Sequence, residues 1–311
     1  MKVYHSLEAF QKLPNAVVTS GTFDGVHKGH QQILSRLIEI SQKRQGQTVV
    51  LTFWPHPRLI VSEDSQGLQL LSTIEEKIEL FSSLGIDHLI ITPFTRAFSE
   101  LSSIDFIQQV LVDRIGTKKI VIGYDHRFGR NREGSFDFLQ RKAPSFGFEV
   151  EEIPRQDIDA LAISSTRIRA ALLHGEVEIA QELLGRPYSF SGVVVKGKQL
   201  GRTLGFPTAN IEIREMYKLI PANGAYVIET SLRGKRYGGM LNIGVRPTVD
   251  GLSRTIEAHL FDFSGDIYGE KLSIRLLHYL RPEQKFENIQ GLIQQLAEDK
   301  QSAIDYLSSV N

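Results

Sequence analysis

Two histidines three residues apart, His27 and His30, lie in the stretch Val17 to Ile33, VVTSGTFDGVHKGHQQI. An apolar run ends there in Ser20-Gly21, a glycine-spaced turn follows, and helical spacing resumes through Leu34, Leu37 and Ile38. A strand, tight turn and helix in this order leave backbone N–H groups free at the helix start, where they meet phosphate oxygens. The two imidazoles add donors on the same turn. Gly21, Gly25 and Gly29 flank them, and small residues let a ligand approach the backbone. The chemistry that suits this corner is the handling of phosphate; the alternative is a pair of ordinary solvated residues at a helix start.

The elements that must position these residues read as repeated βα units. Gln31 to Arg44 has helical spacing, Gln47 to Phe53 is a short apolar strand, and Thr73 to Leu84 is a helix closed by Gly85. His88 to Ile91 and Lys119 to Ile122 are strands separated by a helix over Ser102 to Ile115. Short, almost wholly apolar strands alternating with helices predict a parallel sheet covered on both faces. In such a sheet the strand carboxyl ends face the ligand crevice, so the segments that follow them matter. Here they are GTFDGVHKGH, then WPHP (Trp54 to Pro57), then GYDHRFGRNREG (Gly123 to Gly134). ISSTRIR (Ile163 to Arg169) reads as a helix start capped by Ser164 or Ser165, with Arg167 and Arg169 on or near its first turn. His56 between two prolines fits a rigid loop as well as a catalytic position. Asp125, Arg127 and Arg130 fit a surface charge network as well as a shaped binding loop.

With 311 residues the chain exceeds the size at which one core stops growing, so two domains are expected. Lys plus Arg equals Asp plus Glu at 36 each, which argues against a surface built to hold a nucleic-acid backbone. The absence of Cys excludes disulfides, thiolate metal sites and a cysteine nucleophile. No run approaches the roughly 20 apolar residues that cross a bilayer, and MKVYHSLEAFQKL has no apolar signal core. The expectation is a cytoplasmic protein acting on small molecules, without nucleic-acid or membrane partners, as a monomer or weak homo-oligomer.

The periodicity changes after Gly185-Arg186-Pro187, which stops two short helices built on Leu172, Leu173, Val177, Ile179 and Leu183-Leu184. The expected domains are therefore 1–185 and 186–311. Tyr188 to Val195, Gly224 to Thr230, Lys235 to Ile243, Thr255 to Leu260 and Lys271 to Leu280 read as strands without crossover helices, hence an antiparallel sheet that closes most economically as a barrel. Apolar residues at helical spacing from Phe286 to Leu307 predict an amphipathic helix, or a pair, over one barrel face. In GKQLGRTLGFPTANIEI (Gly197 to Ile213), Thr208 and Asn210 suit a hard cation such as Mg²⁺ beside phosphate, or bonds to their own backbone in a turn. Alternation from Ile256 to Leu260 puts Glu257 and His259 on one face, either solvated or aimed into a site.

Together GTFDGVHKGH, FWPHP, GYDHRFGRNREG and ISSTRIR closely resemble the adenylyltransferase domain of the bacterial bifunctional riboflavin kinase/FAD synthetases, members of the nucleotidyltransferase superfamily marked by HxGH. PTAN at Pro207 to Asn210, NIGVRPT at Asn242 to Thr248, EAHLFDF at Glu257 to Phe263 and YLRPEQKF at Tyr279 to Phe286 resemble the same family's riboflavin kinase domain. The similarity thus runs over nearly the whole chain. His126 departs from it, standing where the family more often carries phenylalanine. The implied fold is α/β, with an N-terminal Rossmann-like nucleotidyltransferase parallel sheet, a C-terminal antiparallel β-barrel riboflavin kinase domain and a terminal helix.

The resemblance implies an enzyme with two reactions. The ATP γ-phosphate passes to the ribityl 5′-hydroxyl of riboflavin, and the FMN phosphate then attacks the α-phosphorus of a second ATP, giving FAD and pyrophosphate. His27 and His30 would donate to the α- and β-phosphate region, Ser165 and Thr166 would orient the β/γ phosphates, and Arg169 with Arg167 would stabilise departing pyrophosphate. Gly21, Phe23, Asp24, Gly29, Asp125, Arg127 and Ser164 complete the implied nucleotide and flavin contacts, Asp24 either by ordering its loop or by positioning nucleotide and Mg²⁺. In the second domain Thr208 and Asn210 would hold Mg²⁺ and Glu257 would be the general base. Gly201, Gly205, Pro207, Asn242 and Arg246 would shape the substrate site. Two other readings remain: a single-activity nucleotidyltransferase whose second domain only binds flavin, and a flavin or nucleotide sensor that turns over neither. Thr208, Asn210 and Glu257 argue against the first. FMN is expected to leave one site and rebind at the other.

Overall fold

A computed structural model describes residues 1–61, 67–153, 163–197, 200–248 and 251–310, the side chains of 200, 202, 246–248 and 251–253 apart. The chain forms two compact units, Met1–Ser165 and Thr166–Asn311.

The first unit is a six-stranded sheet in the order β1-β4-β3-β2-β5-β6. Its strands are β1 (Lys2–Tyr4), β2 (Ala16–Ser20), β3 (Gln47–Trp54), β4 (His88–Pro93), β5 (Thr117–Gly123) and β6 (Glu149–Ile153). Every pairing is parallel. Side-chain alternation divides the core between two faces. Val17, Val50, Leu89 and Val121 pack with Leu34 and Leu37 of α1 (Lys28–Lys43) on one face. Val18, Leu51, Ile90 and Ile120 pack with Ile107 and Leu111 of a π-type helix (Phe106–Ile115) on the other. Each Val or Leu so buried contributes about 1.5–3 kcal/mol, which is why these strands are apolar throughout. The chain steps from β2 through β3 to β4 on one side and returns as β5 and β6 on the other. The crevice beyond the carboxyl ends of β2 and β5 is therefore the place where strand order reverses, the position at which such sheets bind ligands.

Helix α2 (Ile74–Ser83) carries a capping box in which Thr73 and Glu76 bond each other's backbone, and Gly85 follows at φ 83°. Two strands escape a hydrophobic reading. β1 has three residues, and β6 is the acidic EVEEI, whose Glu149 and Glu151 pair with Arg44, Arg36 and Lys119 at the sheet edge.

In the second unit six antiparallel strands close a barrel in the order β10-β11-β8-β7-β12-β9. They are β7 (Ser189–Val195), β8 (Ala209–Glu212), β9 (Gly224–Leu232), β10 (Lys235–Thr248), β11 (Gly251–Leu260) and β12 (Lys271–Pro282). The five strands expected are present, and β8, hidden inside the PTANIEI stretch, closes the ring. Two helices precede the barrel, α3 (Ser165–Leu173) and α4 (Val177–Leu184). The Ala222 N–H donates to the Leu172 carbonyl at 2.9 Å, and α4 packs on β12, so the change of periodicity near 185 falls inside this unit. The tail is a single helix, α5 (Ile289–Val310), lying on β9, β10 and β12. The buried carboxylate of Asp299 receives Arg281 in a two-pronged ion pair at 2.9 and 2.7 Å, while Ala303 packs on Val227 and Met240. Among the described residues no helix is long and apolar enough to cross a membrane.

Candidate active sites

The corner between β2 and α1 turns through three residues of positive φ, Phe23 at 48°, Gly25 at 80° and Val26 at 40°. Glycine accepts this conformation, whereas a β-branched valine there is a genuine outlier that costs about 1–3 kcal/mol. The surroundings hold the turn. The buried Asp24 carboxylate accepts the Leu71 N–H at 2.9 Å and the Ser72 N–H at 3.2 Å, and the Gly25 N–H donates to Ser72 Oγ at 3.0 Å. The fully buried Lys77 of α2 donates Nζ to the Thr22 carbonyl at 3.1 Å. The Asp24 carboxylate thus orders the loop through these amides.

His27 caps α1 in place of the usual Ser, Thr, Asp or Asn. Its Nδ1 accepts the His30 N–H at 3.4 Å, which leaves the proton of a neutral ring on Nε2. The His27 and His30 rings stack with centroids 3.6 Å apart, and the Phe23 ring meets His30 edge-on at 5.2 Å. Gly29 is buried between them in the first turn of α1, and Gly21 donates its N–H to the Leu51 carbonyl at 3.0 Å. Ser165, the last residue of this unit, donates Oγ to the Asp24 carbonyl at 3.0 Å and so ties itself to the GTFDG turn. Ser164, Thr166 and Arg167 are exposed, and Arg169 is half-buried along α3.

The loop after β5 is a shaped structure. Phe128 and Gly134 exchange backbone hydrogen bonds at 3.2 and 2.9 Å, and Phe128 packs on Phe106 with centroids 5.3 Å apart. Asp125 and Arg127 are left exposed, while half-buried His126 shares a 3.4 Å hydrogen bond with Ser20 Oγ across the crevice. Burial, with repulsion from Arg132 and Arg127, pushes the His126 imidazolium down to a pKa of about 4, so the ring is neutral at pH 7. His56 accepts the Arg58 N–H on Nδ1 at 3.2 Å and caps the turn after β3. An open hollow of about 720 Å³ at the amino ends of the strands, lined by Asn15, Arg44, Lys118 and Glu149 among others, contains none of these groups.

In the barrel, Glu257 of β11 is paired with Asn210 of β8 on one side and Asn242 of β10 on the other. Residues directly opposite in antiparallel strands share a face, so the three side chains form a polar row. Thr208 donates Oγ1 to Glu257 Oε2 at 3.3 Å. On this face Glu257 and Asn210 are half-buried and Asn242 is exposed. His259 on the same face is buried and donates Nδ1–H to the Pro207 carbonyl at 2.8 Å, and burial lowers its pKa. The loop that covers it needs its glycines. A Cβ at Gly197 would overlap the Asn210 amide, one at Gly201 would overlap the Phe206 carbonyl, and Gly205 has φ 82°. The side chain of Arg246 lies outside the described residues.

Lys77, Ser72 and Glu283 are absent from the sequence reading. Glu283 accepts the Val245 N–H at 3.0 Å and the Asn223 amide at 3.0 Å, next to Asn242. The YLRPEQKF motif carries Glu283, so its signal was present without a partner to interpret it. Lys77 sits at a core position of an amphipathic helix, and nothing local marks it.

The FAD synthetase family model matches residues 9–167 and the riboflavin kinase model residues 184–307. A bifunctional riboflavin kinase/FMN adenylyltransferase of Listeria monocytogenes serovar 1/2a is 40% identical over 92% of this chain and 91% of its own. The protein of the same description in Escherichia coli K12 is 36% identical over 98% of each chain. A crystal structure from Streptococcus pneumoniae, described as a macrolide-efflux protein, superposes with a TM-score of 0.87 at 31% identity over 96% of both chains.

Proposed function

The chain belongs to the bifunctional riboflavin kinase/FMN adenylyltransferase family, and from that premise we propose how its residues divide the work. It is an enzyme that makes FMN from riboflavin and ATP, then FAD from FMN and a second ATP. We assign adenylylation to residues 1–185 and phosphorylation to 186–311.

The observation that carries the kinase assignment is Glu257, set in a row with Asn210 and Asn242 and bonded by Thr208. A primary alcohol is a weak nucleophile, and the Glu257 carboxylate takes the proton of the riboflavin 5′-hydroxyl as its oxygen bonds to the γ-phosphorus. The residues present fit Mg²⁺. Thr208 donates a hydrogen bond to Glu257 and so keeps oxygen lone pairs for a cation, and Asn210 lies opposite Glu257 in the row. When bound, Mg²⁺ offsets charge on the transferring phosphoryl. Gly201, Gly205 and Pro207 shape the covering loop, and Asn242 and Arg246 contact substrate.

In adenylylation an FMN phosphate oxygen bonds to the α-phosphorus while the bond to pyrophosphate breaks. Charge gathers on phosphate oxygens, so fixed donors rather than a covalent intermediate do the work. His27 donates from Nε2, His30 donates beside it, and the N–H groups at the start of α1 near Gly29 add to both. Gly21 and Phe23 leave room for nucleotide, Asp24 orders the turn, and Asp125 and Arg127 contact substrate from the loop after β5. Ser164, Ser165 and Thr166 orient the β/γ phosphates, and Arg167 and Arg169 meet departing pyrophosphate. The ATP demand of both steps fits a cytoplasmic enzyme, monomeric or weakly associated, that releases FMN between sites.

The test is an incubation of riboflavin, ATP and Mg²⁺ with FMN and FAD resolved chromatographically over time. FMN should rise first and FAD follow; binding of flavin and ATP without product would leave a sensor, and FAD only from supplied FMN would leave a single-activity enzyme.

A further inference from the structure

The buried lysine of α2 has no part in the scheme above, yet it lies under the corner that carries both histidines. Lys77 is 1% exposed, and its Nζ donates to the carbonyl of Thr22, the residue that leads into the positive-φ turn. Thr52 Oγ1 reaches the same carbonyl at 3.4 Å from β3, so the turn is gripped from the sheet and from α2. A backbone carbonyl needs only a neutral donor, and a serine or glutamine could supply one. A lysine brings a full charge into a buried place, at the cost of desolvation, where that charge is poorly screened.

We propose that Lys77 is a positioning residue for adenylyl transfer, holding the Thr22–Val26 turn in the shape that aims His27 and His30 and lending its charge to the phosphate corner. The charged group that faces it from the turn is Asp24. Its neighbour Glu76 on α2 is engaged by the Thr73 N–H at 3.0 Å. Burial lowers the pKa of Lys77 to about 8, against the pull of Asp24. The sign follows: the charge is present at pH 7 and is lost as pH rises through about 8, so the grip on Thr22 weakens on the alkaline side. Polyphosphate binding favours the charged form and should move that loss to higher pH.

This inference rests on adenylyl transfer being the work of the first unit; if the unaltered protein made no FAD from FMN and ATP, that reading would fail before this one was tested. The experiment uses the full chain, with riboflavin phosphorylation as the internal control for the second unit and thermal unfolding followed by circular dichroism as the control for folding of the first. Lys77→Met should lower the kcat of FMN adenylylation by about 10- to 100-fold, the scale of a misplaced reacting group, with a smaller change in the KM for ATP. Phosphorylation should stay within twofold. In kcat/KM for ATP, which reports the nucleotide-free enzyme, the unaltered protein should show an alkaline fall in adenylylation near pH 8 that phosphorylation lacks, and Lys77→Met should lose that feature. Lys77→Arg keeps the charge at all these pH values, so its remaining activity should show no fall near pH 8, even where Lys77→Met folds poorly. Adenylylation within twofold of normal in Lys77→Met, or a fall that stays near pH 8 in Lys77→Arg, overturns the proposal.

Discussion

The imidazoles of His27 and His30 lie face to face, with ring centroids 3.6 Å apart and planes 16° from parallel. Neither ring is placed by its own side-chain torsions alone: His27 is held as the cap of α1, and His30 rests between that ring and the edge of Phe23. His30→Ala should therefore remove one donor and loosen the other. The expected result is a kcat for FAD formation lower by about 10²-fold, the size of losing one preorganised donor. ATP affinity, measured by equilibrium binding, should change far less.

Ser165→Ala deletes the hydroxyl that meets the Asp24 carbonyl at 3.0 Å. One net hydrogen bond is worth about 1 kcal/mol, so adenylylation should fall by about fivefold while riboflavin phosphorylation is unaltered. Parallel initial rates of the two half-reactions check this.

Glu257→Gln keeps the size of the side chain and can still accept from Thr208, but it cannot take up the hydroxyl proton. Phosphorylation of riboflavin should drop by about 10²- to 10⁴-fold, and adenylylation of supplied FMN should persist. Equal loss of both activities would refute the division of labour.

Gly197→Ala tests the fit of the covering loop, because its new methyl group would overlap the Asn210 amide. The steric push falls on a proposed cation ligand, so the variant should need more Mg²⁺ for half-maximal phosphorylation. A Mg²⁺ titration of the kinase rate, with the adenylylation rate as control, reads the effect directly.

His126 gives a pH dependence of stability. Its folded pKa of about 4 lies below the ordinary value of 6.5. Between these values the unfolded chain binds more protons, so stability rises with pH across the window and is lost as pH falls through it. His126→Phe removes this ionisation, and thermal midpoints recorded from pH 4 to 6.5 should be flatter for the variant.

Much of the fold is legible where burial dictates residue type. The strands β2, β3, β4 and β5 are apolar because both faces are covered, and the Thr73–Glu76 box marks the start of α2 in the sequence itself. What escapes is decided at a distance. β6 is a strand because Arg36, Arg44 and Lys119 neutralise its glutamates at the sheet edge, and no hydrophobic pattern reports that. The alternation of β11 does not tell that His259 is buried; the segment that buries it arrives from Pro207, whose carbonyl it bonds. Asp24 reads as a turn residue or a ligand until its partners, the amides of Leu71 and Ser72, are seen. The motif residues were visible as a set, while Lys77 and Ser72 gain meaning only from the turn they hold.

The row Asn210, Glu257 and Asn242 crosses three strands of a barrel that has no free edge. Neighbouring strands are held about 4.8 Å apart by their backbone ladder, so the main chain fixes where the side chains of the proposed base Glu257 and the proposed cation ligand Asn210 start. A slip of one residue would carry the carboxylate to the barrel interior, and closure of the ring forbids it. Thr208, one residue before β8, is placed by the same ladder, and its hydroxyl reaches Glu257 at 3.3 Å.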